Sequence, residues 1–234
     1  MSSLEHLKNR LTSEFGVILN SPNMEKAMTP GFVDKRLYAI YLIETFHYTS
    51  HNAKNQALVA TRLDEIDPRY AKWCLKHANE EYGHELMAYH DLKAAGLIKE
   101  NQVLSKPLPN TQAFIAYIYW VAQHGHPYAR LGYSYWAERS YEFIQPMVTH
   151  IATSLGIKPN AMTFYNEHSE IDTDHAKQVD DVITRHVKTK EEWEAVEETM
   201  VMSLHLTQRM MDGVFEEFIK LKNGKQSRFE YLNL

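Results

Sequence analysis

The chain has 234 residues, of which 44% are hydrophobic and 24% charged, and its formal net charge is −5. That composition can build a packed core and excludes a disordered chain, while the acidic balance argues against non-specific nucleic-acid binding, which depends on neutralising phosphates. A single cysteine, Cys74, excludes an intramolecular disulfide, and the longest apolar run, 114–122, is far short of the ~20 residues a membrane span needs.

With a polar start and no cationic stretch leading into an apolar run, the sequence reads as a cytoplasmic protein with no membrane or nucleic-acid partner. Only 9 Gly and 8 Pro interrupt it, which favours long helices, whereas 13 His beside many carboxylates raise a metal site. Ser2-x-x-Glu5 has the form of a capping box, followed by Leu4, Leu7, Leu11 and Phe15 at helical spacing. Residues 20–31 are rich in Asn, Ser, Pro and Gly and read as a connection. Helices are then expected over 32–51 and 52–65, and a long one from Pro68 to about residue 95, closed by Gly96. Residues 99–109 read as a loop. Helix 110–124 takes Asn110 as its N-cap, and helix 128–154 is kinked or broken at Pro146. Helix 160–186 follows, and Thr189-x-x-Glu192 opens a last helix to about residue 222. No convincing period-two alternation, repeat or linker is present. The expectation is one all-α domain, 1–234, of seven or eight helices.

The chemistry concentrates in a few helical segments. In His168-x-x-x-Asp172-x-x-His175, offsets of four and seven residues place the three side chains within about 60° of one helix face. Two imidazoles and a carboxylate suit a divalent metal such as iron, and a solvated face is the competing reading. Glu81-x-x-His84 sets a carboxylate and an imidazole one turn apart, the pair that di-iron bundles project inward. Glu80, near Lys76, reads as the solvated neighbour. His77 falls on the Glu81 face and is open to three roles: ligand, partner of a ligand, or surface imidazole.

Glu138, with Glu142 as its rival, and Glu44 both lie among apolar residues, where a carboxylate is costly to bury unless paired or metal-bound. For Glu138 or Glu142 the alternative is an ion pair with Arg130 or Arg139. Together Glu81, His84, Glu138, His168, Asp172 and His175 supply three imidazoles and three carboxylates, with Glu44 as a bridging or late-arriving ligand.

This order of residues resembles the haem-oxygenase-like di-iron oxidases and oxygenases, a scaffold shared with thiaminase II and pyrroloquinoline-quinone synthase. Their motif is a Glu, a His soon after it, a Glu on a later helix, then His-xxx-Asp-xx-His. The resemblance covers most of the chain, and its final triplet is the most specific part. It implies a haem-free bundle of about seven helices, two Fe(II) ions held by Glu81, His84, Glu138, His168, Asp172 and His175, O2 as co-substrate, and a homodimer. Glu81, Glu138, His168 and Asp172 are then the residues expected to act in catalysis. Mn suits the same ligand types. The fold does not select among the family's amino-acid-like and fatty-acid-like substrates.

Three other readings compete. A ferritin-like di-iron protein would leave His168 surplus. A metal-free thiaminase II-like enzyme would use Cys74 as nucleophile. A non-enzymatic metal-binding protein would bind metal without consuming O2. For the substrate, Tyr48, Tyr133, Tyr135 and Tyr165 are candidate pocket walls, and Arg130 or Arg139 is a candidate carboxylate clamp. The Met-rich stripe of the last helix reads first as core, and where it lines a cavity it implies a substrate with an apolar part.

Overall fold

A computed structural model describes residues 3–232, excepting the side chains of residues 167–173. Among the described residues the chain forms eleven α-helices, one 3-10 turn and no strand. They are α1 (Leu4–Leu19), α2 (Pro22–Ala27), α3 (Lys35–Thr49), α4 (Asn52–Val59), α5 (Pro68–Glu80), α6 (Glu85–Ala94), α7 (Pro109–His124), α8 (Arg130–Ala137), α9 (Ser140–Ser154), α10 (Thr163–His186) and α11 (Lys190–Lys222), with the turn at Pro159–Ala161. The all-helical expectation holds, and the count exceeds it because the expected helices 68–95 and 128–154 are each interrupted and the 20–31 connection contains a short helix of its own. No helix is long and apolar enough to cross a membrane among the described residues.

Local signals explain most boundaries. Thr189 and Glu192 form the expected capping box of α11. Asp67 caps α5 through the Arg69 N–H, with Pro68 in the first turn, where its missing N–H costs nothing. Several boundaries differ from expectation, among them that of α4, which ends at Val59 rather than near residue 65. Ser3 caps α1, its Oγ accepting from the His6 N–H at 3.1 Å, and Ser2, the expected cap, lies outside the described residues. The 20–31 connection contains the short helix α2, which starts at a proline. Helix α7 starts after Leu108, and Asn110 instead donates to the Arg209 carbonyl at 2.8 Å.

Two interruptions position the acidic residues of the interior. Helix 68–95 breaks after Glu80, because Gly83 sits at φ 98°, a left-handed conformation a helix cannot continue through. Helix 128–154 breaks at Glu138–Arg139, not at Pro146, which lies inside α9. Side chains take over carbonyls near this break. Arg139 Nη1 donates to Tyr135 O at 3.1 Å, and Ser140 Oγ donates to Ala137 O at 3.0 Å.

Helix α11 is the spine, packing against α8, α7, α3 and α1. One apolar cluster joins its N-terminal half to α1, α5, α7 and α8, including Leu11, Tyr70, Phe114 and Met200. A second joins its C-terminal half to α2, α3, α6 and the tail, including Ile40, Leu92, Phe218 and Phe229. The tail after Gly224 carries no periodicity, yet Phe229 and Leu232 are buried in this second cluster. Glu44 is fully buried on α3 and serves the start of α7: Oε2 accepts from the Leu108 N–H at 3.0 Å and the Thr111 hydroxyl at 2.5 Å.

The approach of α8 to α11 depends on Gly132. A Cβ there would lie 2.0 Å from Val196 O and 2.7 Å from Met200 N, both backbone atoms of α11. Gly132→Ala is therefore expected to lower unfolding free energy by about 1–3 kcal/mol or more, as overpacking does. Denaturant titration checks this, and an unchanged midpoint would contradict the close approach.

Candidate metal centre

Helices α5, α8 and α10 bring four buried ligand-type side chains to one point: His77, Glu81, Glu138 and His175. Each offers one nitrogen or oxygen, and these four atoms lie within 4.8 Å of one another. His77 is 1% exposed and the other three 7%. His77 Nε2 is 3.3 Å from Glu138 Oε1, and His175 Nδ1 is 3.4 Å from Glu138 Oε2 and 3.5 Å from Glu81 Oε1. None of these approaches has hydrogen-bond geometry. Both ring nitrogens of His77 and Nδ1 of His175 are buried with no hydrogen-bond partner among the described residues. Buried polar atoms are normally satisfied, so a converging set that is not fits a bound cation.

The helix breaks place the carboxylates. Glu81 is the C-cap of α5 and Glu138 the C-cap of α8. The C-terminal end of a helix carries partial negative charge, which disfavours a carboxylate and favours a cation. Two such ends meeting two acids attract positive charge. In the metal-free protein the His175 imidazole provides it. His175 is pushed up to about 10 by Glu138 and Glu81, against the effect of burial. Burial raises Glu81, yet the contacts of His175 and His84 outweigh it and hold that carboxyl well below its usual range. Burial likewise opposes the lowering of Glu138 by His175 and His77.

Aromatic packing fixes His77, whose ring stacks on Trp73 with centroids 4.9 Å apart and planes 25° from parallel. Its burial among the four groups that could hold an ion excludes the surface role of the three that the sequence left open. The signal was its spacing of four residues from Glu81 on one helix.

The remaining sequence candidates separate. His84 caps the start of α6, with Nδ1 3.6 Å from Glu81 Oε2, beside the four-residue group rather than in it. His168 and Asp172 lie in 167–173, outside the described side chains. Glu44 does not join the group. Its burial reflects the α7 cap, a partnership across 64 positions of sequence. Glu80 pairs with Lys76 at 3.0 Å through Oε1, but it is not simply the solvated neighbour expected: Oε2 is buried and lies 3.9 Å from His175 Nε2 at the edge of the centre. Glu138 is not held by an arginine. Arg139 pairs with Asp180 at 2.6 Å, and Arg130 bonds to neutral side chains.

Glu81 and Glu138 also line a cavity of about 190 Å³ between the two apolar clusters. Tyr48, Tyr133 and Tyr165 are in its wall, as are Met210, Met211 and Phe215 of α11. Tyr135 is not, and its ring instead stacks under Arg139 at 4.0 Å. Glu81 and Glu138 are the only ionised side chains in the described lining, so neither Arg130 nor Arg139 is placed to clamp a substrate carboxylate.

This arrangement defines a haem-oxygenase-like helical protein with a buried His/Glu centre. The chain belongs to the family of iron-containing redox enzymes, whose model matches residues 39–208. A domain of unknown function with a heme oxygenase-like fold from Shewanella denitrificans OS217 is 41% identical, covers 97% of both chains and superposes with a TM-score of 0.91. Two TenA homologues share the fold. That of P. horikoshii OT3 is 14% identical, covers 91% of this chain and 97% of its own, and has a TM-score of 0.65. That of Pseudomonas syringae pv. tomato DC3000 is 11% identical, covers 91% and 92%, and has a TM-score of 0.69. No curated protein matches the chain.

Two measurements test this geometry. His77→Ala is expected to lower the iron content of anaerobically loaded protein, while Glu44→Gln leaves it at the parent value. Equal iron in His77→Ala and parent, or loss in Glu44→Gln, would contradict this placement. In the metal-free protein, a His175 raised from 6.5 to about 10 stabilises the fold fully below pH 6.5. That stability is lost as pH rises through about 10. The depressed carboxyls of Glu81 and Glu138 stabilise above their ordinary 4.5 and lose that contribution on acidification. The metal-free melting temperature should therefore decline from pH 6.5 to about 10, and Glu138→Gln should flatten that decline. A parental slope unaffected by Glu138→Gln would contradict the pairing.

Proposed function

We propose that the chain is a non-haem di-iron oxidase or oxygenase that uses O2 to oxidise a small molecule with an apolar part. One observation carries this reading: two carboxylates of the buried centre are also wall residues of an apolar cavity, so bound metal and bound substrate would share a boundary. The family description, an iron-containing redox enzyme, supports iron as the metal. The expected pair of ions needs more ligands than the four brought together. His84 lies beside them, and the resemblance assigns His168 and Asp172 to the same role.

Iron bound at this centre would supply the electrons that activate O2. The chain's own contributions are positional. His77 and His175 would each present a ring nitrogen to a cation, which would displace the proton that His175 otherwise holds. Glu138 offers two oxygens, which would let it change between one- and two-atom contacts as charge at the centre changes, while Glu81 offers Oε1, its Oε2 accepting from Asn52. Tyr48, Tyr133, Tyr165 and the α11 methionines exclude water and pack an apolar substrate against the two carboxylates. Apart from the two carboxylates, the described lining is mostly apolar and aromatic, which favours a long alkyl chain, as in a fatty-acid-like substrate, over a small zwitterionic amino acid.

The thiaminase-like alternative, to which the TenA neighbours point, has less support. Cys74 is fully buried, lies outside the cavity lining, and burial pushes its thiol up to about 11, which suppresses the nucleophilic thiolate. The ferritin-like alternative gives way to the haem-oxygenase-like fold.

Anaerobic loading is expected to give about two irons per chain, the number the resemblance implies. Mixing that form with O2 in a stopped-flow instrument should give a transient visible absorption that apolar acids accelerate more than zwitterionic amino acids do. Trace iron binding, or no transient with any compound, would contradict the proposal.

A further inference from the structure

Arg130 is 1% exposed, and its hydrogen bonds go to neutral side chains. Nε donates to Asn55 Oδ1 at 2.7 Å, Nη2 to Asn52 Oδ1 at 2.6 Å, and Nη1 to Ser134 Oγ. The guanidinium lies 4.5 Å from the Tyr133 ring centroid. It forms no ion pair among the described residues. A buried arginine keeps its charge, so its burial beside neutral partners alone is costly.

The direction of each bond is fixed by chemistry. A guanidinium has donors and no acceptor, so Asn52 must turn Oδ1 toward Arg130 and its NH2 group away. That NH2 group then meets Glu81, with Nδ2 donating to Oε2 at 2.8 Å. The result is a relay of one polarity, from Arg130 through Asn52 to a carboxylate of the candidate centre. Glu81 sits at the broken end of α5, and its Oε2 also faces His84 Nδ1 at 3.6 Å. Its other oxygen, Oε1, is the one that approaches His175.

We propose that Asn52, oriented by Arg130, is a positioning residue for Glu81. It occupies Oε2 and leaves Oε1 to face a metal ion, while Arg130 fixes the direction of the amide. The role rests on the metal-centre reading and goes beyond it, because it assigns a function to two residues outside the ligand set.

Asn52→Leu and Asn55→Leu test it, with Co(II) as the probe. Each variant removes one hydrogen-bond partner of Arg130, but only Asn52 touches Glu81. Both should melt lower than the parent. Only Asn52→Leu should weaken Co(II) binding, by about 10–100-fold in an anaerobic chelator competition, as loss of a ligand's hydrogen-bond partner does. Its Co(II) visible spectrum should also depart from the parent's, whereas that of Asn55→Leu should not. If Asn52→Leu does not fold, Asn52→Asp keeps an acceptor for Arg130, removes the donor to Glu81, and carries the same spectral expectation. Parental affinity and spectrum in the position-52 variant, or equal losses in both leucine variants, would overturn the positioning role alone. A parent that binds no Co(II) and no Fe(II) would remove the metal centre and this role with it.

Discussion

Two acidic side chains stand at the C-terminal ends of two helices in the protein interior, where burial and the helix dipole both oppose negative charge. Much else in the structure answers that cost. The breaks at Glu81–Gly83 and Glu138–Arg139 carry the carboxylates inward from α5 and α8. His77 and His175 face them, with nitrogens that no described hydrogen bond satisfies. Arg130 approaches Glu81 through one amide. A purely structural core would gain stability by replacing these groups with packed apolar residues. Their retention together is what a cation-binding role explains.

The position of the centre gives it a use. It sits on the wall of a cavity between the two apolar clusters, and the long helix α11 contributes to both clusters and to the cavity. The Met-rich stripe of α11 divides accordingly. Met200 is packed in the core, while Met210 and Met211 line the cavity, where flexible thioethers adapt to an apolar guest. Structure and packing thus separate a polar reactive end from an apolar holding region.

Periodicity made the all-helical class and most helix positions readable from sequence, because each helix buries an apolar stripe and its caps are local. The interruptions were harder. Gly83 marks one, but a glycine inside an apolar-periodic run is also compatible with a continuous helix. At Glu138–Arg139 there is neither Gly nor Pro, and Pro146 drew attention to a position where α9 continues unbroken. Glu81, Glu138 and His175 came from residue type and spacing, and His77 was visible at the same spacing. Glu44 shows the limit of that method. Its apolar neighbours correctly indicate burial, yet its partners come from a helix start far along the chain. Asn52 and Arg130 are 78 positions apart, and only the fold joins them.

The central claim is that these imidazoles and carboxylates enclose metal. Anomalous diffraction at the iron edge, from crystals grown of anaerobically iron-loaded protein, tests it most directly. The account predicts anomalous density within coordination distance of His77, Glu81, Glu138 and His175. A map with no peak there, or with iron bound only at surface carboxylates, would contradict it.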